Sequence, residues 1–142
     1  MAVIGPGDEP TVAAAEVGRL LAEHGAVLVC GGRGGAMEAA CRGAKEAGGL
    51  TVGILPGSDR TEANPFVDVV LATGLGEARN ALVVGAADVV IAIGGGYGTL
   101  SEIALGLKSG RPVFGLESWD IPGVVGVASP EDAADAALEV LI

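Results

Sequence analysis

Two hydrophobic patterns take turns along the chain. Short, nearly unbroken apolar runs occupy residues 2–5, 26–30, 50–55, 67–71, 89–93, 112–116 and 124–127, the pattern of strands buried on both faces. Between them, apolar residues recur every three or four positions, as in helices with one buried face. Ala13, Val17, Leu20 and Leu21 mark the first such helix, from about Pro10 to His24, with acidic residues near its start. His24, just before Gly25, reads as its C-terminal capping residue. Met37, Ala40, Cys41 and Ala44 mark the second helix, and Glu38 and Arg42 are spaced to pair on its other face. A third, over about 77–87, carries a small-residue face at Ala78, Leu82 and Gly85. A fourth places Leu100, Ile103, Ala104 and Leu107 on one side and ends at Ser109-Gly110. Ser129 stands as the N-cap of a fifth, with Pro130 at its first position and Glu131 and Asp132 in its first turn. Residues 57–66 are polar and irregular, a surface loop ending in Asn64-Pro65.

This alternation with short connections predicts an α/β protein. The expected architecture is a Rossmann-like, doubly wound, mostly parallel sheet of six or seven strands with helices on both faces, in one domain over residues 1–142. Ligands of such sheets sit beyond the carboxyl ends of the strands. Glycine-rich turns fall at that edge: Gly5–Gly7, Gly31–Gly35, Pro56-Gly57, Gly74–Gly76 and Gly94–Gly98.

Composition narrows the chemistry. Half of the residues are hydrophobic but only four are aromatic, so the core is to be built from Ala, Val, Ile and Leu. A formal charge of −10, from 18 acidic and 8 basic residues, repels polyanions and disfavours a nucleic-acid-binding face. It still allows a small anion in a local pocket of N–H groups and arginines. No apolar stretch approaches the ~20 residues of a membrane span, and the start of the chain reads as a first strand, so cytoplasmic residence is expected. Cys30 and Cys41 lack metal or redox spacing and read as small buried side chains. With His24 the only histidine, a zinc site is not expected.

The most informative stretch is Gly94-Gly95-Gly96-Tyr97-Gly98-Thr99-Leu100-Ser101-Glu102, where a buried strand breaks into glycines and restarts as a helix. Glycines let the backbone approach an anion, and a helix start directs unpaired N–H groups and partial positive charge towards it. Thr99 and Glu102 also have the spacing of a capping box, which needs no ligand. Arg79 sits early in the preceding helix, where a cation opposes the helix dipole; that placement fits a binding role, and a solvated surface arginine equally. Other phosphate-binding patterns do not fit. In Gly5-Pro6-Gly7-Asp8-Glu9-Pro10 the third glycine of a dinucleotide fingerprint is replaced by Pro10, and the second strand ends in Cys30 rather than an acid. No Gly-Lys-Ser/Thr exists for a Walker loop, and Lys45 and Lys108, the only lysines, read as exposed helical residues rather than Schiff-base donors.

With these residues in view, the 94–102 stretch resembles the P-G-G-x-G-T-x-x-E signature of the "Lonely guy" cytokinin-activating phosphoribohydrolases. The chain is more similar still to the shorter branch of that superfamily, which contains the molybdenum cofactor carrier proteins. The likeness runs through Val3–Gly7, Gly31–Ala39, Gly53–Gly57 and Thr73–Asn80 as well as the signature. It implies a Rossmann-like homodimer or higher homo-oligomer with its sites near the interface. It also implies that Gly95, Gly96, Gly98 and Thr99 hold a phosphate, joined by Gly7, Gly32, Arg33, Gly34 and Tyr97, and that Glu102 and Arg79 are the catalytic pair. Two departures touch substrate identity: Gly94 replaces the signature's proline, and Asn80 follows Arg79 where the family has lysine.

The activity so implied is hydrolysis of the N-glycosidic bond of a nucleoside 5′-monophosphate, releasing free base and ribose 5-phosphate, with no cofactor required. Glu102 would stabilise an oxocarbenium-like transition state, and Asp8, beside the first glycine turn, is the candidate acid for the leaving base. The alternative is a non-catalytic carrier of the molybdenum cofactor or another phosphorylated pterin or nucleotide. The superfamily's DNA-processing members are a third comparison, disfavoured by the negative charge and the absence of an added winged-helix domain.

Overall fold

A computed structural model describes residues 1–9 and 11–141. Seven strands, β1 (Ala2–Ile4), β2 (Leu28–Cys30), β3 (Thr51–Leu55), β4 (Val69–Ala72), β5 (Val90–Ile93), β6 (Val113–Leu116) and β7 (Val124–Val127), form one sheet. Its order is β4-β3-β2-β1-β5-β6-β7, and every neighbouring pair is parallel. The chain therefore winds outward from β1 to β4, then returns to the centre and winds out the other way. The reversal lies between β1 and β5, where connections leave in opposite directions and open a crevice.

Successive residues of the central strands serve opposite faces. Val3, Ile91 and Ile93 pack with Leu28, Phe114 and the small residues of α1 (Val12–Glu23), α2 (Ala36–Glu46) and α5 (Pro130–Glu139). Ala2, Ile4, Val90 and Ala92 pack instead against Val83 and Val84 of α3 (Arg79–Gly85) and Ile103 of α4 (Tyr97–Lys108). Apart from Phe114, the buried core is aliphatic, as the composition requires. Alanine-rich faces let α1 and α2 cross closely: a Cβ added to Gly18 would collide with the Ala40 carbonyl, and one added to Gly43 with the Ala15 carbonyl.

Capping chemistry sets several boundaries. Thr11 caps α1 by accepting the Ala14 N–H at 2.9 Å, so the helix begins at Val12 with no acid in its first turn. The earlier start at Pro10 lies outside the described residues. His24 closes α1, its Nδ1 2.9 Å from the Leu20 carbonyl. Ser129 caps α5 through the Asp132 N–H at 3.0 Å, with Pro130 in the first turn. The α3 face differs from the one the pattern suggested: Val83 and Val84 are buried, whereas Ala78, Leu82 and Gly85 face solvent. Glu38 and Arg42 do not pair; among the described residues the ion pairs join Arg19 to Glu16 and Glu23, and Lys45 to Asp68 at 2.9 Å. Among those residues, no helix is long and apolar enough to cross a membrane.

Candidate functional site

At the carboxyl ends of β1 and β5, where the winding reverses, lies a cleft of about 500 Å³. Five connections contribute to it. Gly5–Asp8 follow β1, Arg33 comes from the β2–α2 turn and Met37 from the first turn of α2, and Pro56 follows β3. Gly76, Glu77, Arg79 and Asn80 lie at the start of α3, and Gly96, Gly98, Thr99 and Glu102 at the start of α4.

The connections interlock through close backbone approaches. A Cβ on Gly5 would lie 2.7 Å from the Ile93 carbonyl oxygen, so the β1 turn rests directly on the end of β5. Gly35, at φ +62°, is in a conformation that other residues seldom adopt, and its position has no room for a Cβ against the Pro6 carbonyl. The Ala36 N–H donates to that carbonyl at 2.9 Å, bringing Gly7 and Arg33 to one rim. Asn64, from the loop read as a surface loop, is buried and fastens the second turn. Its backbone N–H donates to the Gly32 carbonyl and its Nδ2 to the Arg33 carbonyl, each at 2.8 Å.

Helix starts at the cleft differ from those elsewhere. Unlike α1 and α5, α2 and α4 begin at glycines, Gly35 and Gly96, without a side-chain cap. The capping-box reading of Thr99 and Glu102 is therefore corrected. Gly96, extended at φ −99° and ψ −150°, is the N-cap, so Thr99 is the third helical residue and Glu102 lies a full turn further on. Gly95, at φ +113°, makes this geometry possible, since a Cβ there would overlap the Thr99 side chain. Among the described residues, the N–H groups of Gly95 through Thr99 find no acceptor. Thr99 and Glu102 are 3% and 8% exposed, and both line the cleft.

Arg79 and Glu102 hold unusual charge. The Arg79 guanidinium lies against Gly31, where any Cβ would collide with it, and its Nε is buried with no hydrogen-bond partner. Burial lowers its pKa from the ordinary value, with Glu102 opposing the shift; a guanidinium keeps its charge regardless. Burial pushes the Glu102 carboxyl up to about 7, and Arg79 offsets only part of this. The two side chains share the cleft without forming an ion pair. A half-buried cation whose Nε has no protein partner, beside a buried acid, costs stability and suits a site that receives a polar ligand.

Of the residues singled out from sequence, Gly7, Arg33, Arg79, Gly96, Gly98, Thr99 and Glu102 come together on the cleft, and Asp8 joins them at the rim. Gly32 lies buried beneath, packed on Leu55 and Gly53. Gly34 stands behind the rim near Gly7, and Gly95 lines hollows on the other side of its turn. The Tyr97 side chain, 84% exposed, lies outside the cleft, stacked on Trp119 with ring centroids 6.2 Å apart. The cysteines are both buried, as expected, but their Sγ atoms meet at 3.5 Å beneath the Gly31–Gly35 turn, a juxtaposition that their sequence spacing did not reveal.

The sequence profile of the SLOG cluster4 family matches residues 1–139. The chain belongs to this family. It is 47% identical over 137 residues to an uncharacterized protein of Archaeoglobus fulgidus, covering 94% of this chain and 90% of the relative. Among solved structures, the molybdenum cofactor binding protein of the phototrophic bacterium Rippkaea orientalis superposes with a TM-score of 0.93 at 41% identity, over 99% of this chain and 96% of that one. The Moco carrier protein of Chlamydomonas reinhardtii gives 0.89 at 38%, over 99% and 95%. DNA processing protein A of Helicobacter pylori, at 22% identity and a TM-score of 0.69 over 98% and 80%, shares the fold alone. The superfamily resemblance and the doubly wound α/β fold expected from the sequence are both present.

Proposed function

We propose that this SLOG cluster4 protein binds a phosphorylated small molecule in the cleft and carries it, with a phosphorylated pterin such as the molybdenum cofactor as cargo. Arg79 carries the reading: it is half-buried, with its Nε buried and unpartnered, in the cleft onto which the uncapped start of α4 opens. One anionic group supplies what both lack. The cleft volume is in the range that encloses ligands of nucleotide or pterin size. Similarity to proteins described as binding or carrying the molybdenum cofactor supports the choice of cargo. With a net charge of −10, nucleic acid is not the partner proposed.

The test is to isolate the protein from a host supplied with molybdate, denature it, and measure released pterin by fluorescence together with bound molybdenum. Near-stoichiometric pterin that Arg79→Met abolishes is the expected result. Protein that takes up neither pterin nor any nucleoside monophosphate overturns the reading.

One observation favours a second reading, phosphoribohydrolase activity. Glu102 lies in the cleft beside Arg79, where its carboxylate form would stabilise an oxocarbenium-like ribose; burial raises its pKa to about 7, so that form prevails only above about pH 7. Turnover of a nucleoside monophosphate panel to free base, lost in Glu102→Gln, would establish it. No cofactor takes part in that chemistry.

A homodimer is also proposed, through the α3/α4 layer. Leu82 and Leu105 are exposed there beside a shallow, mainly apolar groove lined by Ala81, Val84 and Gly85. Light scattering after gel filtration tests this: Leu82→Glu is expected to yield monomer, and a monomeric wild type contradicts the assignment.

A further inference from the structure

Three consecutive glycines, Gly94–Gly96, impose little conformation on themselves. A turn meant to hold an anion must nevertheless present its N–H groups ready-placed, since ordering them on binding weakens affinity. The structure holds the turn from outside, through the segment that follows β6. The Gly94 N–H donates to the Leu116 carbonyl at 3.1 Å. Ser118 Oγ–H donates to the Gly94 carbonyl at 2.6 Å, and Trp119 Nε1–H donates to the Gly96 carbonyl at 3.1 Å. The Trp119 ring also stacks on Tyr97, the first residue of α4. Between the backbone anchor and the two side-chain donors lies Glu117, the only described non-glycine residue with positive φ, at +50°. A local backbone strain thus coincides with the place where two successive side chains are delivered to one turn.

We propose that Ser118 and Trp119 are positioning residues that orient the N–H groups of Gly95 and Tyr97 for a bound phosphate. The basis is peptide geometry. In a planar trans peptide, the carbonyl of one residue and the N–H of the next point in opposite directions. Drawing the Gly94 carbonyl towards Ser118 turns the Gly95 N–H away from it, and drawing the Gly96 carbonyl towards Trp119 does the same for the Tyr97 N–H. Both amides lack acceptors among the described residues. The turn continues directly into Gly96, Gly98 and Thr99 on the cleft wall. Neither Ser118 nor Trp119 lines the cleft, so each acts only through the turn. The inference rests on the cleft being an anion site, and it names which groups outside the cleft set its affinity.

The experiment uses the intact protein, with inorganic phosphate and AMP as probes in calorimetric titrations. Variants are Ser118→Ala, Ser118→Thr, Trp119→Phe and, as a control, Arg79→Met. Ser118→Ala and Trp119→Phe are each expected to weaken both probes about tenfold, the loss of one well-aimed charge-assisted hydrogen bond. Ser118→Thr restores affinity because it returns the hydroxyl. Trp119→Phe keeps a ring but not the N–H, which separates the hydrogen bond from the stacking. Amide NMR supplies a readout that general loosening would not move: phosphate shifts the Gly95 and Tyr97 amide protons downfield in wild type, less in Ser118→Ala and Trp119→Phe. If wild type binds phosphate and Arg79→Met loses it, while both brace variants bind within twofold of wild type, the positioning role is wrong and the anion site stands. The positioning role is equally wrong if those two amides do not shift on phosphate addition. If wild type binds neither probe, the anion site fails and the positioning role with it.

Discussion

Replacing Glu102 with glutamine removes a charge that the fold holds at a cost. Burial raises this carboxyl from an ordinary 4.5 to about 7. At about 1.4 kcal/mol per pH unit, that gap amounts to roughly 3 kcal/mol. The folded protein binds this proton more tightly than the unfolded chain does. The stabilisation is therefore fully present below about pH 4.5, declines as pH rises, and is lost above about pH 7. Glutamine keeps the size of the side chain and does not ionise. Its stability relative to wild type should thus rise with pH, from near zero at about pH 4.5 to roughly 2–3 kcal/mol at about pH 8. The lower figure allows for Arg79 losing the attraction of the Glu102 carboxylate. Urea unfolding at a series of pH values between about 5 and 8 measures this, and Trp119, the single tryptophan, reports the transition. A stability difference that stays flat across that range, or a variant less stable than wild type at about pH 8, refutes the picture of a desolvated, unpaired carboxyl.

Other positions separate stability from binding. Gly31→Ala places a methyl group where the Arg79 guanidinium lies; the flexible side chain can move, so stability should fall by less than about 1 kcal/mol while phosphate affinity drops about tenfold. Gly18→Ala and Gly43→Ala press a methyl on a backbone carbonyl across the α1/α2 crossing, and each should cost about 2–3 kcal/mol in urea unfolding despite alanine's better helix propensity. Ser129→Ala should cost about 1 kcal/mol as a lost N-cap, whereas Thr99→Val, which removes no cap, should leave stability within about 0.5 kcal/mol and weaken phosphate binding.

The order of strands and helices was legible because each central strand is buried on both faces, which leaves an unbroken apolar run such as Val89–Ile93. The position of the cleft followed, since the glycine turns fall at the carboxyl edge of a parallel sheet. What escaped depends on directions that a one-dimensional pattern does not hold. The spacing of Thr99 and Glu102 is the same whether Thr99 caps the helix or the cap lies three residues earlier, at Gly96. Only the extended Gly96 decides between them, and it turns an apparent cap into two cleft residues. Tyr97 lies within the signature, but the helix start rotates its ring outward onto Trp119, a partner 22 positions away. The apolar pattern of α3 misled because Ala78, Leu82 and Gly85 share a face that the sheet does not cover. Gly18 and Gly43 did leave a signal: glycine inside a helix is locally costly, so its presence points to a close crossing. Ser118 and Trp119 left none, for their roles are side-chain bonds to a turn more than 20 residues away in sequence.

In the proposed binding mode, Arg79 and the start of α4 hold a phosphate together. A crystal structure grown with AMP tests it most directly. The phosphate is expected at the Gly96–Thr99 turn, accepting from backbone N–H groups, with the Arg79 guanidinium bonded to it and the ribose turned towards Glu102. A phosphate bound elsewhere, or at that turn with Arg79 directed away from it, rules out this site.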